Sequence, residues 1–176
     1  MKPSLIGALL LSVVMTAVAD ESVRHLRHHP VRVFDANGHV VGDLTIFGAL
    51  NGVAFTVGNA TTVVPIERLQ DASRRFSATD FRWVAAVGVS FASSDCSGDP
   101  ILDLTNGPHA TFALRRGNVV TLYFAADGAQ RVFTANSFLD TTTGCQQRPG
   151  FGVEGWAVGA TRVISDEHPE PLTIGY

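Results

Sequence analysis

The chain has 176 residues, 13 of them basic and 16 acidic, for a formal net charge of −3 at neutral pH; 45% are apolar, and there are two cysteines. A weakly acidic chain with no basic stripe interleaved with aromatics argues against nucleic acid as a partner, because phosphate contacts need clustered cations. The length suits a single domain large enough to bury a core.

In chain order, the first segment is "MKPSLIGALLLSVVMTAVAD". Lys2 precedes an apolar run from Leu5 to Val14, and Ala17-Val18-Ala19 supplies the small-x-small pattern that signal peptidase reads. The run is shorter than the roughly 20 residues a spanning helix needs, so residues 1–19 are expected to be a signal peptide, with no membrane anchor left behind. Export makes a secreted or periplasmic location the expectation. Residues 20–30 follow as a flexible N-terminal arm containing "RHLRHHP". His25, His28 and His29 are weak candidates for a metal site, since neutral imidazole is a good zinc or copper ligand. Arg24 and Arg27 are interleaved with them, which favours a mobile arm over an ordered site, and no cofactor is expected.

From residue 31 the pattern is that of short strands ended by turn chemistry. "VRVF" runs into Asp35-Ala36-Asn37-Gly38, where Asn-Gly accepts the positive φ of a hairpin. "VVGDLTIF", "VAFTV" and "TTVVPI" follow, punctuated by Asn51-Gly52 and Gly58-Asn59. In "PIERLQDASRRF", Ile66, Leu69, Ser73 and Phe76 fall at helical spacing after Pro65, so one short helix is expected near 66–76. "FRWVAAVGVSF" is the longest candidate strand, with Gly88 as a bulge or close-packing point. "ATFAL", "VVTLYFA" and "RVFTANSF" read as a meander with turns at Arg116-Gly117 and Asp127-Gly128. "FGVEGWAVGATRVI" completes a β-domain over 31–165, and 166–176 is a polar tail with Pro169 and Pro171. The pairs Arg74-Arg75 and Arg115-Arg116 read as solvated turn residues. The expected fold is all-β, a single antiparallel β-sandwich or squat barrel.

Cys96 lies in "SFASSDCSGDP" and Cys145 in "TTTGCQQRPG". A reactive thiol, a metal ligand and a disulfide compete for Cys96. No histidine lies close in sequence to activate a thiolate, and in an oxidising compartment one Cys96–Cys145 bridge is the economical reading.

Three strings together, "VFDANGHVVGDL", "FASSDCSGDPIL" and a lone later cysteine, resemble a group of small exported bacterial β-rich proteins. That group opens on a D-x-N-G-x-x-V-G hairpin, carries an F-x-x-x-D-C-x-G loop and has a second downstream cysteine. The likeness spans roughly residues 31–150. It implies export, β-structure and a disulfide; it implies no reaction, and no catalytic residue carries over. One departure stands out: "ERLQDASRRFSATDFRW" reads as more polar and more helical than the extended connection that group has.

The motifs of chemistry are missing from the string. There is no G-x-S-x-G elbow, no H-E-x-x-H, no P-loop and no G-x-G-x-x-G. Asp95, Asp99 and Asp103 recur around Cys96 but do not follow a calcium loop, and such aspartates more often cap turns. Glu154 in "GVEGWAVG" is the one carboxylate with a binding context. Strand alternation would put it on the same side as Trp156, an indole able to stack on a sugar; the plainer reading is an outward Glu and a partly covered Trp. The functional expectation is an exported non-catalytic domain with a binding or assembly role outside the cytoplasm, its partner an extracytoplasmic protein or glycan. An inhibitor that inserts a disulfide-held loop over 92–100 into a cleft is the second class. An unannounced enzyme centred on Glu154 or His109 is the third.

Overall fold

Positive-φ turns set the hairpins of a computed structural model that describes residues 30–103 and 107–176. The expected signal peptide and His25, His28 and His29 lie outside the described residues. β1 (Arg32–Phe34) and β2 (Val40–Phe47) are joined by the Asp35–His39 turn, with Gly38 at φ 77°. β3 (Leu50–Val57) pairs back on β2, and β4 (Ala60–Gln70) pairs on β3 through Gly58 at φ 59°. β5 (Phe76–Trp83) continues the run, and β13 (Leu172–Gly175) lies between β5 and β1. The six strands close a barrel in the order β1-β13-β5-β4-β3-β2. The all-β expectation therefore holds, and of its two architectures the barrel accounts for six of the thirteen strands among the described residues.

The rest forms two smaller sheets. β6 (Gly88–Phe91), β7 (Pro100–Ile101), β10 (Arg131–Asp140) and β11 (Gly144–Gly155) make one, in the order β11-β10-β6-β7. β8 (Thr111–Arg116), β9 (Val119–Ala125) and β12 (Val158–Val163) make the other, in the order β12-β9-β8. This central sheet has two buried faces. Ala113, Val120, Leu122 and Phe124 join Val53, Phe55, Val64, Ile66, Trp83 and Leu172 in the barrel-side core. Phe112, Leu114 and Ala125 turn the other way and pack with Val89, Phe91, Cys96 and Leu102. Two-sided burial explains why "TFAL" reads as an unbroken apolar run rather than an alternation.

Several expectations are corrected. No helix forms over 66–76: β4 runs through Ile66 to Gln70, the chain turns at Asp71–Arg75, and β5 begins at Phe76. The helical spacing was coincidental, since Ile66 is buried while Phe76 is 66% exposed. Asp71 makes the turn, accepting the Ser73 and Arg75 amides, and Arg74 adopts φ 60°. The one helix among the described residues, α1 (Ile164–Glu167), lies elsewhere. "FRWVAAVGVSF" is two strands, because residues 84–87 cross between sheets: the Val84 amide bonds the Pro65 carbonyl and the Ala86 amide the Ala113 carbonyl. The meander stops after β8–β9, for β10 pairs with β6 and β11 instead. The supposed tail over 166–176 contains β13 and belongs to the barrel.

The arginine pairs also divide. Arg75 stays in the exposed turn with Asp71. Arg115 instead forks onto Glu170, at 3.0 Å and 2.6 Å, and donates to the Trp83 carbonyl. Glu170 Oε1 also accepts the Trp83 amide, and the Trp83 indole N–H reaches the His168 carbonyl.

Asp35, 3% exposed, anchors the same end of the barrel. Burial pushes its carboxyl up, but the amides of His39 and Asn37 and the His168 ring outweigh that and hold it below the usual carboxylate range. A depressed folded pKa gives stability that is present above the unfolded value near 3.8 and is lost as pH falls from there through the lowered folded pKa. Asp35→Asn keeps the amide acceptor and loses the charge. Urea titrations should therefore show a loss of about 1 kcal/mol at pH 7 that shrinks toward pH 3. An equal loss at both pH values would contradict this.

Candidate functional site

The C-terminal end of β9, the start of β12 and the β3–β4 turn meet around one histidine. His109 is held by its backbone, whose amide bonds the Thr61 carbonyl, and by its ring, whose Nε2 lies 2.8 Å from the Ala125 carbonyl. A carbonyl only accepts, so Nε2 carries a proton and donates to it. The ring leans on Phe124, centroids 6.2 Å apart.

Two shallow depressions flank His109 and share Ala125, Ala126 and Asp127. The first, about 260 Å³, runs toward Val57, Asn59 and Gly159. The second, about 440 Å³, is walled by Gly107, Gly128 and Trp156. Two glycines here pack too closely for a side chain. A Cβ at Gly107, whose φ is 76°, would stand 2.4 Å from the Val63 amide nitrogen, and one at Gly159 would stand 2.7 Å from the Ala126 Cα. Together the depressions form an open groove with a histidine at its centre and an indole at one end.

Trp156 is positioned by strand geometry. Its amide and carbonyl exchange bonds with those of Leu102, and its indole N–H donates to the Gly128 carbonyl at 3.0 Å. The ring is half-buried against the second core. Glu154 is exposed and lines a different depression with Ala129, Gln130, Arg131 and Val132. The structure thus brings Trp156 together with His109 and Asp127, and not with Glu154.

Cys96 and Cys145 are joined in a disulfide with Cα atoms 5.9 Å apart. The bridge is compatible with an oxidising, extracytoplasmic location. Cys96 is 2% exposed and sits at φ 58°, a strained setting for a side-chain-bearing residue. It is over-determined: its amide donates to Ser137 Oγ, Arg116 donates to its carbonyl at 2.6 Å, and Ser137 Oγ donates to the Ser93 carbonyl. Asp95 caps the same loop by accepting from Ser97. Asp99 is exposed and Asp103 half-buried, where burial raises its carboxyl above the usual range. Among the described residues, no group of three His, Cys, Asp or Glu side chains is arranged to hold a metal ion.

No family model, no curated protein and no solved structure matches the chain.

Asp127 escaped the sequence reading as a groove residue, although "DG" marked its turn. The signal that could have found the groove was the turn itself, since hairpin ends are where an all-β scaffold presents side chains.

Proposed function

We propose that the chain is an exported, non-catalytic β-domain whose His109–Trp156 groove binds a glycan outside the cytoplasm. The observation that carries the reading is the preset indole: the bond from Trp156 to Gly128 and its packing on the second core fix one edge of the ring, and its remaining surface walls an open, polar-lined groove. Sugar recognition uses this combination of an aromatic face with a few directed polar groups, here the His109 ring and Asp127. The disulfide and the hydrogen-bonded 92–99 loop support life outside the cytoplasm.

The two tryptophans make the test specific. Trp83 is 1% exposed, so a ligand-induced change in emission reports Trp156. Titration with soluble peptidoglycan and polysaccharide fragments should give a saturable fluorescence change that Trp156→Ala abolishes and His109→Ala weakens roughly tenfold, the loss of one good polar contact. No saturable response from any fragment, or an unchanged response in Trp156→Ala, would overturn the reading.

The inhibitor reading keeps one specific support. The 92–99 loop is exposed at Asp95, Ser97 and Asp99 yet pinned by the disulfide, Ser137 and Arg116, as a loop that enters an enzyme cleft must be.

A further inference from the structure

We propose that the sugar taken by the His109–Trp156 groove is an amino glycan, whose hexosamine units carry free, positively charged amines. This rests on the glycan reading of the groove and names the chemical class within it. The walls set the charge of the ligand. Across both depressions the ionisable side chains are His109 and Asp127, with no arginine or lysine on either wall. Leu104-Thr105-Asn106, the sequence just before Gly107, has no ionisable side chain either. A sugar bearing carboxylate, sulfate or phosphate needs a guanidinium or ammonium partner, and would meet the Asp127 carboxylate instead. An ammonium meets its complement there.

The carboxylate is held where the indole is. Ala126, just before Asp127, donates its amide to the Ala157 carbonyl at 2.8 Å. Gly128, just after it, accepts the Trp156 indole N–H at 3.0 Å. Asp127 is thus bracketed by two bonds to residues 156 and 157, and it walls the same depression as Trp156. Asp127 is exposed, and among the described residues no hydrogen bond or ion pair occupies its carboxylate.

The indole N–H is committed to Gly128, so Trp156 offers a ligand its ring surface. The face of an aromatic ring carries negative potential, and indole is the best of the side-chain rings for attracting a cation. A neutral hydroxyl can donate to a carboxylate, but only a cation uses the carboxylate and the aromatic face together. A charged amine on a pyranose does both, while the apolar face of the sugar stacks on the indole. N-acetylation removes the charge and keeps the rest of the sugar.

The test is a Trp156 fluorescence titration with β-1,4-linked glucosamine oligomers and with fully N-acetylated oligomers of equal length. The buffer is acid enough to charge the amine. The free-amine form should bind roughly tenfold tighter, as one charge-assisted contact provides, and added salt should narrow the difference. Asp127→Asn should bring the two forms to nearly equal affinity, and Asp127→Glu, which keeps the charge, should retain most of the preference. Glu154→Gln, which removes a carboxylate from a different depression, should leave the preference untouched. Equal affinities in the parent, tighter binding of the acetylated form, or a preference that survives Asp127→Asn would overturn the inference and leave the glycan reading standing. So would an equal loss in Glu154→Gln, which would assign the preference to the overall negative charge of the chain. No saturable response to these or any other polysaccharide fragments would remove the glycan reading, and this inference with it.

Discussion

Deleting residues 170–176 should leave a chain with no cooperative thermal transition. The deletion removes β13, the strand that lies between β1 and β5 and closes the barrel. Leu172 is fully buried in the barrel-side core, and removing a side chain of that size costs about 2–5 kcal/mol. Glu170 goes too, leaving the Arg115 guanidinium, 24% exposed, without its carboxylate. Stranding a fully buried charge costs about 3–5 kcal/mol, and this partly exposed one should cost less, about 2 kcal/mol. With the ladder bonds of two neighbours also lost, the sum approaches the whole stability of a typical domain, about 5–15 kcal/mol. Calorimetry and near-ultraviolet circular dichroism of the truncated chain check this. Deleting Tyr176 alone, 89% exposed, should leave the midpoint within a degree or so. A cooperative transition after loss of 170–176 would show that the barrel tolerates a gap.

Replacing the disulfide should have the second-largest effect. The bridge spans 49 residues of sequence and ties the loop after β6 to the start of β11. In the chain-entropy description such a cross-link removes about 4 kcal/mol worth of unfolded-state freedom, and small exported domains lose about 2–5 kcal/mol without theirs. Cys96→Ala/Cys145→Ala is the suitable variant, because it leaves no hydroxyl among Val89, Phe91 and Leu102. Urea titration should show a lower midpoint, and reductant should bring the parent toward the variant while leaving the variant unmoved. The positive φ at Cys96 should persist, held by Ser137 and Arg116. An unchanged midpoint would mean that the hydrogen-bonded loop alone fixes this region.

The strands were legible wherever a turn residue stood at their end. Asp35–Gly38 and Gly58 are local signals, and local signals survive in a string. The helix expected near 66–76 failed because three apolar residues at matching spacing say nothing about whether they share a buried face, and Phe76 does not. The closing strand was hidden for the opposite reason. "LTIG" is four residues behind two prolines, and only its pairing with two distant strands makes it structural. The same holds for Arg115 and Glu170, 55 positions apart. Of the groove, Trp156 and His109 could each be picked out singly. Their meeting depends on β9 and on the bridge between Leu102 and Trp156, neither of which has a local signature.

The central sheet, walled by a core on each side, leaves little room for drift along β8 and β9. A change at Leu114 is felt by one core and a change at Ala113 by the other. Descendants of this chain seeking a new ligand would find freedom only where the sheet stops. Those stops, Pro108, Asp127 and Gly128, are the banks of the groove. The architecture thus separates an inherited frame from an editable margin, and the groove proposed to bind a ligand lies in the margin.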